Sequence, residues 1–127
     1  MWVGLFDEND QESHHQLTEH SLGIWHGAIP DVRPGTRYGY RATGPWQPSQ
    51  GLRFNINKLL LDPYGRAISG QVKPGPEIFA HDLEHPESPS ALDSGPSMSR
   101  SVVVRNDFDW GPDGDPPQRR RWRDSVI

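Results

Sequence analysis

Along the chain, apolar side chains come in short alternating runs rather than at helical spacing. Trp2-Val3-Gly4-Leu5-Phe6 is too short for a helix and suits a buried strand, with Val3 and Leu5 on one face and Trp2 and Phe6 on the other. The polar turn formers Asp7 to Glu12 follow, after which His15, Leu17 and Glu19 alternate with His14, Gln16 and Thr18 in a half-exposed strand. These two strands predict a hairpin. A third strand is predicted from Leu22 to Ile29, ended by Pro30, with Leu22, Ile24 and His26 on one face and Trp25 on the other. Pro34-Gly35 fits the central positions of a type II turn, because proline fixes a negative φ and glycine accepts the positive φ after it. Thr36 to Ala42 is the clearest strand: Tyr38, Tyr40 and Ala42 share one face, Arg37 and Arg41 the other.

The second half is less regular. Gly44 to Gly51 interrupts the strands, and Lys58 to Asp62 carries three leucines that need burial before Asp62-Pro63-Tyr64-Gly65, which suits a type I turn. Prolines, serines and acids fill the stretch from Lys73 to Arg100 with little periodicity. So long a connection in a compact domain is commonly mobile or functional, so weak order or a draped loop is expected. Ser101 to Val104 restores β-branched character, and Phe108-Asp109-Trp110 leads into a turn-rich tail where Arg119, Arg120, Arg121 and Arg123 surround Trp122. A strand starting at residue 2 and the apolar end Val126-Ile127 read as a piece of something longer.

With 127 residues there is room for one folding unit, whereas an eightfold β/α enzyme barrel needs about 250. The apolar share of 32% falls below the ~45–50% of ordinary domains, so the core is expected to be thin. Gly and Pro, 13 of each, disfavour helices and favour short strands joined by turns. A net charge of −4 gives no global attraction to nucleic acid or anionic membrane. No run approaches a membrane span and no signal-peptide pattern opens the chain, so a soluble, cytoplasmic protein is expected. The lack of cysteine removes disulfides, thiolate nucleophiles and the usual structural zinc frameworks.

Candidate chemistry is sparse. His14, His15, His20 and His26 with Glu12 or Glu19 invite a metal reading, but adjacent His14 and His15 face opposite sides of a strand and no ligand motif is present. A structural or surface role is expected for them. Asp107, Asp109, Asp113 and Asp115 lie in a Gly/Pro tail where acids usually solvate turns. The serines from Ser88 to Ser101 lack a nucleophile elbow, and no phosphate-cradling glycine loop occurs. The arginine cluster around Trp122 reads as a solvated arm. Aromatic residues say more: a pyranose packs its C–H face on a flat ring while amides, carboxylates or guanidinium groups bind its rim hydroxyls. Trp25, Trp46, Trp110, Tyr38 and Tyr40 are the available platforms, with most aromatics in a thin-cored β domain expected in the core. Trp46, between Pro45 and Pro48, is the first choice for exposure.

Four segments carry a family resemblance: Val3-Gly4-Leu5-Phe6-Asp7; Trp25-His26-Gly27; Pro34 to Arg41 with Gly44-Pro45; and Gly51-Leu52-Arg53-Phe54-Asn55 ahead of Lys58 to Tyr64. Together they resemble the N-terminal module of bacterial glycogen debranching enzymes of the isoamylase type, in the α-amylase superfamily. The resemblance implies an all-β, immunoglobulin-like β-sandwich with long irregular loops, spanning 1–110. Residues 111–127 would link it to a catalytic barrel, and the parent would hydrolyse α-1,6 branches of glycogen. The family's catalytic carboxylates belong to that barrel, so no residue here is expected to be catalytic and no cofactor or metal is implied. The implied partners are an α-glucan such as glycogen or maltodextrin and the barrel itself, with no nucleic acid or membrane. Early strands that the family carries before Trp2 are missing, which leaves a sheet edge open to an edge-strand dimer.

Trp46, Trp25, Tyr40 and Trp110 are the candidate sugar contacts. Arg37, Arg41 and Arg53 are read either as donors to sugar hydroxyls or, preferably, as residues that dock the barrel, because the apolar, turn-bound run Lys58 to Tyr64 suits packing. Two functions follow: an accessory glucan-binding module, or a docking domain with no intrinsic sugar affinity. A small autonomous hydrolase using Asp109 and Asp113 ranks far behind.

Overall fold

The computed structural model describes residues 1–107 and Asp109. The described chain is all-β, an immunoglobulin-like β-sandwich of short antiparallel strands with three single-turn 3-10 helices. The strands are β1 (Trp2–Phe6), β2 (Glu12–Gln16), β3 (Glu19–Ser21), β4 (Ile24–His26), β5 (Arg37–Arg41), β6 (Trp46–Gln47), β7 (Leu52–Arg53), β8 (Ile68–Ser69) and β9 (Arg100–Val102). The main sheet runs β2-β1-β5-β9-β8, so β2 and β8 are its edges, and β3-β4 and β6-β7 form two small ribbons.

Alternation along β1 and β5 sets the two faces as the sequence predicts. The register pairs Val3 with Tyr40 and Leu5 with Tyr38, so these four share one face, while Arg37 and Arg41 point to the other beside Phe6 and Trp2. Gly4 and Gly39 pair at the centre of the second face, where a side chain has no room. A Cβ on Gly39 would stand 2.6 Å from Cδ1 of Leu59, and one on Gly4 would overlap the Glu12 carboxylate. These two glycines let the 55–59 segment and Glu12 close over the sheet.

Several expectations need correction. The half-exposed strand ends at Gln16, because Leu17 turns inward and is buried, and pairing resumes in β3 with β4. The predicted strand from Leu22 to Ile29 shrinks to Ile24–His26: Leu22 and Gly23, at φ 51° and 82°, form the hairpin turn instead. Of the three leucines, Leu59 is core, whereas Leu60, whose backbone bridges Tyr40 with N···O distances of 2.8 Å both ways, leaves its side chain 45% exposed. The two predicted turns do form, with Thr36 N–H donating to Arg33 O at 3.0 Å across Gly35 (φ 93°), and Gly65 N–H donating to Asp62 O at 3.0 Å.

Among the described residues the fully buried apolar set is small: Val3, Phe6, Leu17 and Leu59. Buried beside them are Arg41, Lys58 and the serines 90, 94, 97, 99 and 101. Arg41 sits on the Gly39 face at 3% exposure. Its Nε donates to Glu12 Oε1 at 2.7 Å and its Nη2 pairs with Glu12 Oε2. Its Nη1 reaches Asp93 Oδ1 at 2.9 Å and Ile56 O at 3.1 Å. The Glu12 hydrogen bond, helped by Asp93 and opposed by burial, raises the guanidinium pKa further above its already high value. Nearby, Asp10 accepts from both Arg37 (2.6 Å) and Arg100 (2.7 Å), and Arg100 lies 4.0 Å above the Phe6 ring.

The 73–100 stretch is draped, as expected, but firmly tied rather than weakly ordered. Ser94 N–H donates to Asn57 O at 2.9 Å, Leu59 N–H donates to Ser94 Oγ at 2.8 Å, and Lys73 N–H donates to Ser97 O at 2.8 Å. The strap takes its order from polar anchors, which leave no periodicity in sequence.

Two predictions follow from this packing. Leu22 is fully exposed at positive φ, a backbone state that leucine resists and asparagine tolerates. Leu22→Asn is therefore expected to stabilise the fold by roughly 0.5–1 kcal/mol, seen as a higher urea midpoint at unchanged slope; a lower midpoint refutes the turn assignment. For Arg41→Met, loss of about 3 kcal/mol is expected at pH 7, because Glu12 and Asp93 lose their cation. Burial pushes the Asp93 carboxyl up, but the Arg41 hydrogen bond and charge, the Gly95 amide and Lys58 hold it below its usual value. A carboxylate depressed in the folded state stabilises above its unfolded pKa near 3.9 and loses that stability as pH falls through the folded value. The wild-type chain should weaken below about pH 4, and Arg41→Met should respond more weakly to acid; parallel stability curves would refute the linkage.

Candidate functional site: an aromatic cleft beneath the strap

Trp46 is half-buried in β6 rather than sitting in an irregular loop, paired with Arg53 of β7. The 3-10 turn Pro48–Gln50 joins the two strands, and Gly51 closes it at φ 76°. Phe54 follows β7, and its ring lies against Gly44: a Cβ there would stand 2.6 Å from Phe54 Cδ2. Glycine at 44 thus allows the ring to fold in beside Trp46. The two aromatics, with Thr43, Ile56 and Asn57, line one side of a cleft of about 380 Å³, and Pro89, Ser90 and Ala91 of the strap line the other.

The Trp46 indole is not loose. Its Nε1–H donates to Glu87 O at 2.7 Å, across 41 residues of chain. Asn55 Nδ2 donates to Ala80 O at 3.0 Å and Ser90 O at 2.8 Å. Lys58, 6% exposed, donates from Nζ to Glu77 O at 2.8 Å, Leu92 O at 2.7 Å and Ser90 Oγ at 3.3 Å. Burial pushes the Lys58 pKa down against the pull of Asp93 and Glu77. Within the cleft wall, the Thr43 hydroxyl and the Asn57 side-chain amide have no hydrogen-bond partner among the described residues.

Trp25 and Tyr40 come together elsewhere, in a cleft of about 340 Å³ on the opposite face of β1 and β5. Trp25 is 43% exposed and leans on His20 with ring centroids 4.7 Å apart. The other lining residues include Val3, Leu5, Leu17, Ile29, Val32 and Tyr38, and the Tyr38 hydroxyl is already spent on Asp62 Oδ2 at 2.6 Å. That hydrogen bond and charge add to burial in raising the Tyr38 pKa. Trp110, the 111–127 linker and the arginine cluster around Trp122 lie outside the described residues.

The three candidate docking arginines separate. Arg37 is taken up by Asp10 and the Asp7 carbonyl, and Arg41 is enclosed by Glu12, Asp93 and Ile56. Arg53 is exposed, makes no ion pair among the described residues, and shares a cleft of about 390 Å³ with Leu52, Phe54 and Leu60. Sequence reasoning took Phe54, Asn55 and Lys58 only as motif residues and not as site candidates; Asn55 and Lys58 act through contacts 19 to 35 residues away, and Phe54 through its approach to Gly44. Glu12, read as a turn former and weighed as a metal ligand, belongs to Arg41, and His14 Nε2 lies 3.1 Å from Oε1, the oxygen that accepts from Arg41 Nε.

Comparison with known proteins bears on this geometry. Residues 2–65, which contain β1 to β7 together with Trp46, Phe54 and Lys58, match the family model of carbohydrate-binding module 48, the isoamylase N-terminal domain. Over 123 residues the chain is 50% identical to a glycogen debranching enzyme of Erwinia tasmaniensis; the match covers 97% of this chain and 18% of that enzyme. The chain therefore spans under a fifth of that relative's length. On the match over half its length, and with an all-β sandwich to agree with it, the chain belongs to the carbohydrate-binding module 48 family.

Proposed function

We propose that this chain is the α-glucan-binding module of an isoamylase-type glycogen debranching enzyme of the cytoplasm, and that the Trp46 cleft receives the sugar. The carrying observation is that two aromatic rings, Trp46 and Phe54, meet in one cleft with an unpartnered hydroxyl, Thr43, and an unpartnered amide, Asn57. Rings serve the C–H face of a pyranose, and the free polar groups serve its rim. At about 380 Å³ the cleft lies near the lower end of small-molecule sites, which suits a short stretch of one glucan chain rather than a branch cluster. The Trp25–Tyr40 cleft also offers rings and the Tyr40 hydroxyl, but six aliphatic residues line it and the Tyr38 hydroxyl is committed to Asp62, which favours packing over a hydroxylated ligand. Cleavage of α-1,6 linkages would fall to a barrel domain of the parent.

Docking to that barrel is a second reading with its own support. Tyr64 is 90% exposed and Ile68 62%, while Arg53 and Leu60 share an apolar cleft, an arrangement suited to a domain interface.

Titration with maltoheptaose while following tryptophan fluorescence tests the first reading. A saturable change is expected, weakened about tenfold or more by Trp46→Ala and retained in Trp25→Ala. Absence of any saturable change at millimolar sugar removes the binding function. For docking, the matching residues of the Erwinia tasmaniensis enzyme can be replaced by this chain. Tyr64→Asp should then lower the melting temperature of the chimera while leaving that of the isolated module unchanged, since Tyr64 is exposed there; an unmoved melting temperature for the Tyr64→Asp chimera refutes the interface.

A further inference from the structure

The sugar cleft has two walls of different origin. One is built by the 43–57 stretch, on and around the β6-β7 ribbon; the other is Pro89-Ser90-Ala91, from a segment that the family match over residues 2–65 does not include. That second wall is tied at the surface by Ser90 N–H donating to Ala80 O at 2.9 Å, and from the interior by a buried ammonium. Lys58 has three N–H donors, and all three acceptors belong to the strap: Glu77 O, Ser90 Oγ and Leu92 O. Ser90 and Leu92 bracket the wall residue Ala91. The same stretch carries the Glu87 carbonyl that receives the Trp46 indole N–H, so the strap also fixes the ring plane on which a sugar would stack.

We propose that Lys58 is a positioning residue for α-glucan binding: without touching sugar, it holds residues 87–92 in place as the second wall of the cleft and as the clamp on Trp46. This inference rests on the Trp46 cleft being the glucan site. Asn55 supports the same wall through Ser90 O at 2.8 Å and reaches Ala80 O; Lys58 differs in joining Ser90 and Leu92, on either side of Ala91, to Glu77 nearer the start of the strap. The arrangement gives the strap a function that its composition conceals. One part of the cleft lies within the family match and the other outside it, and a buried lysine ties the second part from the interior.

The test compares Lys58→Met and Lys58→Arg with Trp46→Ala in the maltoheptaose titration. Methionine keeps the length of the stem and removes all three donors, while arginine restores donors to the same carbonyls. Expected for Lys58→Met are an affinity about tenfold lower and, before sugar is added, a red-shifted tryptophan emission that Trp46→Ala abolishes as a difference. Lys58→Arg should recover part of both. Should Lys58→Met fail to fold, Pro89→Gly serves instead: Pro89 is exposed, so the change loosens the wall without opening the interior, and a several-fold affinity loss is expected. Wild-type affinity in a folded Lys58→Met or in Pro89→Gly, with Trp46→Ala still inactive, overturns the role of Lys58 and leaves the Trp46 site standing. A wild-type chain that shows no saturation, or Trp46→Ala binding as well as wild type, overturns the site itself and this inference with it.

Discussion

The fold depends on two buried cations that find all their partners inside the protein. Arg41 and Lys58 take the place that large aliphatic side chains hold in an ordinary sandwich, since the fully buried apolar residues among those described amount to Val3, Phe6, Leu17 and Leu59. A charge moved out of water costs several kcal/mol unless its hydrogen bonds are satisfied. Both cations meet that condition. Arg41 spends its fork on Glu12 and reaches Asp93 and the Ile56 carbonyl, and Lys58 has one acceptor for each proton. Satisfaction of this kind is directional, so it prescribes where each partner segment must lie, which a patch of leucines does not.

The directionality explains why a stretch rich in proline, serine and acids is an integral layer of this module. Hydrophobic burial alone gives residues 73–100 little reason to stay, since Leu83 and Leu92 remain about half exposed. Polar groups hold it: the serines at 94, 97 and 99 are buried, Ser94 joins both the Leu59 amide and the Asn57 carbonyl, and Asp93 closes onto Arg41. The two lobes are therefore coupled through Arg41 and Lys58, one on the central strand and the other just ahead of Leu59. Disturbing either cation affects the sheet face and the strap together.

The parts of this design that were readable from sequence are those governed by period-two alternation and by turn chemistry. Tyr38 and Tyr40 opposite Arg37 and Arg41, the β1-β2 hairpin and the turns at Pro34-Gly35 and Pro63 all follow from local rules that act over a few residues. The family and the sandwich were legible too, through motif segments concentrated between residues 3 and 64. The strap was not, because a buried lysine and a solvated one look alike in sequence, and the Lys58 acceptors are carbonyls that every residue carries. Of the candidate aromatics, local pattern selected Trp46 for its proline-flanked setting. It had no means of bringing Phe54 into the same cleft as Trp46, since the Phe54 ring takes its place against Gly44, where a Cβ would not fit. Trp25 and Tyr40 were drawn by the same aromatic criterion, and they meet with Tyr38 in a separate cleft among six aliphatic residues.

Rigidity of the proposed sugar platform, Trp46, and thinness of the core are two sides of one arrangement. Binding a flexible, well-hydrated oligosaccharide through a few stacking and hydrogen-bonding contacts leaves little free energy for ordering the protein, so the platform has to be held in place beforehand. In a sandwich with a deep apolar core, Trp46 would be fixed by packing. Here it is half-buried and fixed by a hydrogen bond to Glu87, on a strap that is itself held by Lys58. Packing is tolerant of small displacements, whereas a chain of hydrogen bonds weakens steeply once geometry is lost. A module built this way keeps its ring plane well defined while all links are made, and each link that is broken loosens the ring.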